Sequence, residues 1–181
     1  MIRLGSNSQT RALLLNNANI EFIQNGGDFD EDSIKTTNPK SFCYEATKGK
    51  FNELYKKYGI KDMPLLVADS VVTTKGLLLR KAKDENDARN MLELQSGSET
   101  SVITCMIYKS KDKEIIDISI TTYIFNKFEE NDINEYIKSG ECFGKAGAIM
   151  VEGFCKPYIK EVKGYESTAM GLCVEKLKAF M

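Results

Sequence analysis

The chain contains no histidine, which removes Ser-His-Asp, Cys-His and histidine-ligated zinc chemistry, because each needs an imidazole. Carboxylates, lysines, arginines and hydroxyls remain. Carboxylates are hard oxygen ligands that suit magnesium or manganese, and lysines neutralise phosphate, so the available chemistry leans toward phosphate esters and anhydrides. Asp69 is the most informative of these residues. It follows the run Pro64-Leu65-Leu66-Val67-Ala68, so its carboxylate is partly desolvated and needs a cation, a metal or a hydrogen-bond donor. An aspartate delivered at the carboxyl end of such a strand serves either as metal ligand or general base in phosphoryl chemistry, or as a helix cap or salt-bridge partner. Glu31, inside the acidic run Asp28-Phe29-Asp30-Glu31-Asp32, poses the same choice between a site acid and a solvated charge.

Gly5-Ser6-Asn7-Ser8 stands between a short strand and a helix, where exposed N–H groups and the positive end of the helix dipole favour a phosphate. The same residues also suit an ordinary turn and cap. Arg11 lies one turn into that helix. The stretch is neither a Walker A sequence nor a Gly-x-Gly-x-x-Gly fingerprint. Taken alone, Lys48, Lys81 and Lys145 read as surface lysines. Glu152, between Val151 and Gly153, is either an exposed strand residue or a pocket group.

The elements that must position these residues follow from the hydrophobic pattern. Ile2 and Leu4 open a strand, and Ser8 caps a helix through Arg11-Ala12-Leu13-Leu14-Leu15. Ile20 to Ile23 alternates weakly as a strand. Asn38-Pro39 starts a long helix whose apolar positions Phe42, Ala46, Leu54 and Tyr58 recur at multiples of four, with Lys48 on another part of the cylinder, and Gly59 ends it. Lys75-Gly76 reads as a tight turn after the Asp69 strand, Leu77 to Leu79 as the returning strand, and Asp84 as the cap of a helix carrying Ala88, Met91 and Leu92. Ser101 to Tyr108 and Ile115 to Phe125 form a hairpin across a charged turn. Glu129 to Ser139 is an amphipathic helix closed by Gly140, and Thr168 to Phe180 a C-terminal one. The hairpin interrupts a purely parallel alternation, so the expected fold is α/β with a mixed sheet and flanking helices.

The 181 residues, 42% of them hydrophobic, suffice for one domain spanning 1–181. With 25 basic against 26 acidic residues and a net charge of -1, no long-range attraction to a nucleic-acid polymer is expected. The five cysteines are odd in number, widely spaced and without a Cys-x-x-Cys pair, which points to small core residues rather than disulfides or zinc. Met1 to Gly5 lacks the apolar run of a signal peptide, and no stretch is long enough to span a bilayer, so no membrane partner and a cytoplasmic location are expected.

In order along the chain, these motifs resemble the Maf family of nucleoside triphosphate pyrophosphatases. Ser6-Asn7-Ser8-Gln9-Thr10-Arg11 is similar to the family's Ser-x-Ser-Pro-Arg-Arg, without the proline and first arginine. Asp30-Glu31 resembles its Asp-Glu, Lys48-Gly49 its Lys-Ala, and Ala68-Asp69-Ser70-Val71-Val72 its Ala-Asp-Thr-Val-Val. Arg80-Lys81-Ala82 stands where the family has Gly-Lys-Pro, and Gln95-Ser96-Gly97, with Thr104 downstream, where it has Leu-Ser-Gly. Lys145-Ala146-Gly147-Ala148 resembles Lys-Ala-Gly-Ala, and Val151-Glu152-Gly153 replaces Ile-Gln-Gly. The closing pattern around Gly164 and Met170-Gly171-Leu172 is similar, with Tyr165, Glu166, Thr168 and Cys173 at positions where other residues are usual.

The resemblance implies two lobes around a central cleft, as in the inosine triphosphate pyrophosphatase fold. It implies attack of water on the α-phosphorus of a nucleoside triphosphate, with pyrophosphate leaving and non-canonical or modified nucleotides among the substrates. Asp69 would be the proton acceptor, and Lys81 and Lys48 would act with it in catalysis by neutralising the triphosphate. Glu31 and Asp69 would hold a divalent magnesium or manganese ion. Ser6, Ser8, Arg11 and Lys145 would bind phosphate, and Thr10, Ser70 and Glu152 would set the base preference. A homodimer is part of the same expectation. A non-catalytic nucleotide-binding regulator of cell division and septum formation is the alternative, and an interaction domain that merely keeps the fold is a third reading.

Overall fold

The computed structural model describes every residue from Met1 to Met181. One seven-stranded sheet runs through it. In chain order its strands are β1 (Ile2–Leu4), β2 (Phe22–Gln24), β3 (Leu65–Thr74), β4 (Leu77–Leu79), β5 (Glu99–Lys109), β6 (Glu114–Phe125) and β7 (Ile159–Lys163). The spatial order is β2-β1-β3-β5-β6-β7, with β4 paired to β3. β1 is parallel to β2 and β3, and every other pairing is antiparallel. The mixed sheet expected from the central hairpin is therefore present.

The helices are α1 (Gln9–Asn17), α2 (Pro39–Tyr58), α3 (Glu85–Gln95), α4 (Glu130–Ser139), α5 (Glu166–Ala169) and α6 (Val174–Phe180). Their ends follow local chemistry. Ser8, Asn38 and Asp84 each accept a backbone N–H of the helix they precede, and Gly140 closes α4 in the left-handed conformation. Lys75 and Gly76, with φ of 50° and 77°, make the tight turn between β3 and β4.

Alternation along β3 and β5 assigns their side chains to two faces. Leu66, Ala68, Met106 and Tyr108 pack under α1 and α6 with Leu15 and Leu177. Leu65, Val67, Ile103, Cys105 and Ile107 pack under α2 against Phe42, Ala46 and Leu54. A third and larger apolar cluster joins α3 and α4 to the segment 142–158 around Val72, Val102 and Phe128, and it forms a second lobe beyond the far end of β3. All five cysteines are free and buried. No helix is long and apolar enough to cross a membrane.

Three expectations change. Asp69 does not end its strand, because β3 continues to Thr74 and returns through β4. The C-terminal helix expected over 168–180 is broken into α5 and α6, since Gly171 takes φ +106° between them, a conformation that L side chains rarely adopt. β7 was not foreseen: it is short, charged and exposed, the usual guise of a protected edge strand.

Candidate active site

β1 accompanies β3 only as far as Leu4 beside Leu66, and β4 joins it only from Val72 onward. Between these points that edge of β3 is unpaired, and a cleft of about 540 Å³ opens there, within the usual range for a small-molecule site. The gap explains how two adjacent residues that point to opposite faces, Asp69 and Ser70, both line the same cleft.

The α1 side of the cleft is built to receive an anion. β1 ends at Gly5, whose N–H donates to the Leu66 carbonyl. A Cβ at Gly5 would stand 2.6 Å from Leu54 and 2.7 Å from Val67, so only glycine lets the chain turn this closely over β3. The Ser8 hydroxyl caps α1 by accepting the Arg11 N–H at 3.3 Å, and the Ser6 hydroxyl oxygen accepts the Ser8 N–H at 3.2 Å. Arg11 is tied on three sides, donating from Nε to the Gly171 carbonyl at 2.8 Å, from one terminal nitrogen to Ser6 Oγ at 3.1 Å, and from the other to Ser70 Oγ at 3.3 Å. Burial pulls the guanidinium below its ordinary pKa, opposed by the charges of Asp69 and Glu31.

The α2 side carries the acids. Lys50 Nζ lies 2.8 Å from Asp69 Oδ1 and 2.5 Å from Glu31 Oε1, so one ammonium bridges both carboxylates. Burial alone would lower the Lys50 pKa, but the charges and hydrogen bonds of Asp69 and Glu31 outweigh it and raise the group. Burial alone would raise Glu31; Lys50, then Lys81 and Arg80, bring it below the ordinary carboxylate range. Arg80 reaches Glu31 at 3.9 Å and Asp32 at 2.7 Å, which anchors the loop that carries Glu31. Phe29 of that loop rests on Gly49, where any Cβ would meet its ring at 2.2 Å.

The far wall comes from the second lobe. Lys81 pairs with Ala146 in an isolated bridge, Gly147 N–H donates to the Arg80 carbonyl at 2.9 Å, and the buried Gln95 amide donates to the Gly147 carbonyl at 2.8 Å. These contacts hold Lys81 and Lys145 at the cleft, with Glu152 and Thr10 also on its lining.

Of the residues singled out by motif, Ser6, Ser8, Thr10, Arg11, Glu31, Asp69, Ser70, Lys81, Lys145 and Glu152 all meet at this one cleft. Lys48 does not. It is exposed on the outer side of α2, its ammonium 5.5 Å from the centre of the Tyr44 ring, and Lys50 holds the interior place two residues on. Helical spacing carried the signal: Phe42, Ala46, Leu54 and Tyr58 leave one gap in a row of fours, and Lys50 fills it. A lysine on the apolar face of a helix needs a buried acid, whereas Lys48 lies off that face.

Asp69 and Glu31, drawn to one cation, are two hard oxygen donors of the kind that bind magnesium together with phosphate oxygens. The residues present therefore fit a divalent ion.

Fold and site together define an α/β protein whose cleft is cationic along its α1 and second-lobe walls and acidic beneath α2. The chain belongs to the Maf family: the family described as Maf-like protein matches residues 1–181. It is 54% identical over 179 residues to a protein of Nitratiruptor sp. named nucleoside triphosphate pyrophosphatase, covering 98% of this chain and 96% of that one. Proteins of the same name from Helicobacter pylori and Campylobacter jejuni subsp. doylei are 40% and 37% identical, over 96% and 100% of this chain and 91% and 100% of theirs.

Proposed function

We propose that this chain is a hydrolase that converts a nucleoside triphosphate and water into the nucleoside monophosphate and pyrophosphate. The observation that carries the reading is the pairing of a buried, cation-held Asp69 with Arg11, Lys81 and Lys145 around one cleft. Relatives bearing the pyrophosphatase name, matched over 96% and 91% of their own length, support it.

In this reading Asp69 accepts a proton from the attacking water. Lys50, 2.8 Å from Oδ1, holds its carboxylate at the gap in the β3 edge. Ser6 and Ser8 donate their hydroxyl protons to phosphate oxygens at the start of α1, and Arg11 supplies the adjacent charge. Lys81 and Lys145, fixed by the bridge to the second lobe, neutralise charge as it moves onto the departing pyrophosphate. Asp69 and Glu31 are the residues that would hold magnesium or manganese. Such an ion supplies charge neutralisation on phosphate oxygens and acidification of nearby water.

Thr10, Ser70 and Glu152 are the proposed determinants of base preference, with non-canonical or modified nucleotides among the candidates. The cytoplasm is the proposed compartment, in keeping with five unpaired thiols, and a homodimer the proposed assembly. Pyrophosphate release from a panel of canonical and modified triphosphates, with magnesium or manganese, tests the activity. Failure with every combination would refute it.

A further inference from the structure

We propose that Thr104, on β5 behind the cleft, is a positioning residue for Arg11. It acts through a one-way chain of hydroxyl hydrogen bonds that makes Ser70 an acceptor toward the guanidinium. The inference rests on the proposed reading, in which Arg11 binds phosphate.

The direction of the chain follows from where each proton can go. Thr104 Oγ1 lies 2.7 Å from the Thr168 carbonyl oxygen, which only accepts, so the single hydroxyl proton of Thr104 is committed there. Ser70 Oγ lies 2.8 Å from Thr104 Oγ1, and with Thr104's proton taken Ser70 must be the donor. The lone pairs of Ser70 then face Arg11, whose terminal nitrogen is 3.3 Å away. The opposite orientation would set the lone pairs of Thr104 and the Thr168 carbonyl against each other at 2.7 Å. Thr104 is 1% exposed, so no solvent relieves that repulsion. Protons therefore run from Arg11 to Ser70 to Thr104 to the Thr168 carbonyl.

The two serines that touch Arg11 consequently have different tasks. Ser6 Oγ accepts from Arg11 and from the Ser8 N–H and keeps its own proton for a ligand oxygen. Ser70 has no proton left to give. The break between α5 and α6 holds both ends of this arrangement, because the Thr168 carbonyl closes the hydroxyl chain and the Gly171 carbonyl takes Arg11 Nε–H. A Cβ at Gly171 would come within 3.2 Å of Arg11 Nε and 3.5 Å of Ser70 Oγ.

Two readouts test this. In nitrogen-15-labelled protein without ligand, the Arg11 Nε–H exchanges with solvent about tenfold faster in Thr104→Val than in the wild type, and Thr104→Ser restores slow exchange. In steady-state kinetics on the best triphosphate of the panel, Thr104→Val raises KM about tenfold with kcat changed less than about threefold, the mark of lost binding rather than lost chemistry. Ser70→Ala gives the same pattern, the double variant is no worse than either single one, and Thr104→Ser recovers KM although it loses a packed methyl. A merely structural Thr104 would give the reverse ranking, with the isosteric valine silent and serine harmful.

If Thr104→Val fails to fold, Ser70→Ala carries the exchange measurement, which is made without ligand and so does not depend on the proposed contact of Ser70 with the base. Unchanged exchange and KM in these variants, with pyrophosphate released normally by the wild type, overturn the hydroxyl chain and leave the enzyme reading standing. Absence of release from the wild type overturns the enzyme reading, while the exchange measurement still decides the chain.

Discussion

Lys50→Met probes the one cation between the two site acids. In the folded chain Lys50 Nζ is 2.5 Å from Glu31 and 2.8 Å from Asp69, and the side chains of Lys50, Glu31 and Asp69 are 22%, 22% and 11% exposed. Removing one partner of a fully buried pair costs roughly 3–5 kcal/mol. The water that reaches Lys50 and Glu31 screens part of this, which brings the expected loss to about 2–3 kcal/mol at pH 7. For a domain of this length that corresponds to a fall in Tm of about 4–12 °C.

The loss must also depend on pH. The folded-state pKa of Glu31 is depressed, so its contribution is full above the unfolded carboxylate value near 4.5 and disappears as pH falls through the folded value. Lys50→Met has already lost the largest part of that contribution, the remainder coming from Lys81 and Arg80. The difference between wild type and variant should therefore shrink below about pH 4.5. Urea unfolding at pH 7 and pH 4 measures both quantities. A loss under about 0.5 kcal/mol, or one equal at the two pH values, would show that Lys50 does not bridge the two acids in solution.

Other consequences are open to direct measurement. Lys48→Ala should leave KM and kcat within about twofold of wild type, as expected for an exposed side chain, whereas Lys50→Ala should lower kcat/KM by about 100-fold or more; equal effects would return Lys48 to the site. Gly171→Ala forces a Cβ onto φ +106° and against Arg11, so it should cost about 1–3 kcal/mol and raise KM, checked by denaturation and kinetics. Cys105 and Cys155, pushed up by burial to about 11 and about 12, stay protonated in the folded chain after their unfolded counterparts ionise near pH 9. Stability should therefore fall as pH rises above 9, and a flat profile from pH 8 to pH 10.5 in denaturant titrations would contradict it.

Local chemistry made much of the fold legible. Ser8, Asn38-Pro39, Asp84 and Gly140 bound their helices as caps should, and Lys75-Gly76 turned β3 into β4. What was not legible depended on partners distant in sequence. The split between α5 and α6 at Gly171 sets the Thr168 and Gly171 carbonyls against Thr104 and Arg11, and no helical period over 168–180 encodes those contacts. Asp69 was found through the apolar run before it, but its place within β3 depended on where β1 stops and β4 starts. Lys50 was present in the spacing of α2, hidden because its neighbour Lys48 suited a short motif better than it suited the helix.

Hydrolysis in this cleft depends on Asp69. Pyrophosphate release should be measured for the purified protein and Asp69→Asn across canonical and modified nucleoside triphosphates with magnesium or manganese, with circular dichroism to confirm that the variant is folded. The wild type should release pyrophosphate, and release should fall by at least about 100-fold in the folded variant. Near-normal turnover by Asp69→Asn would contradict it.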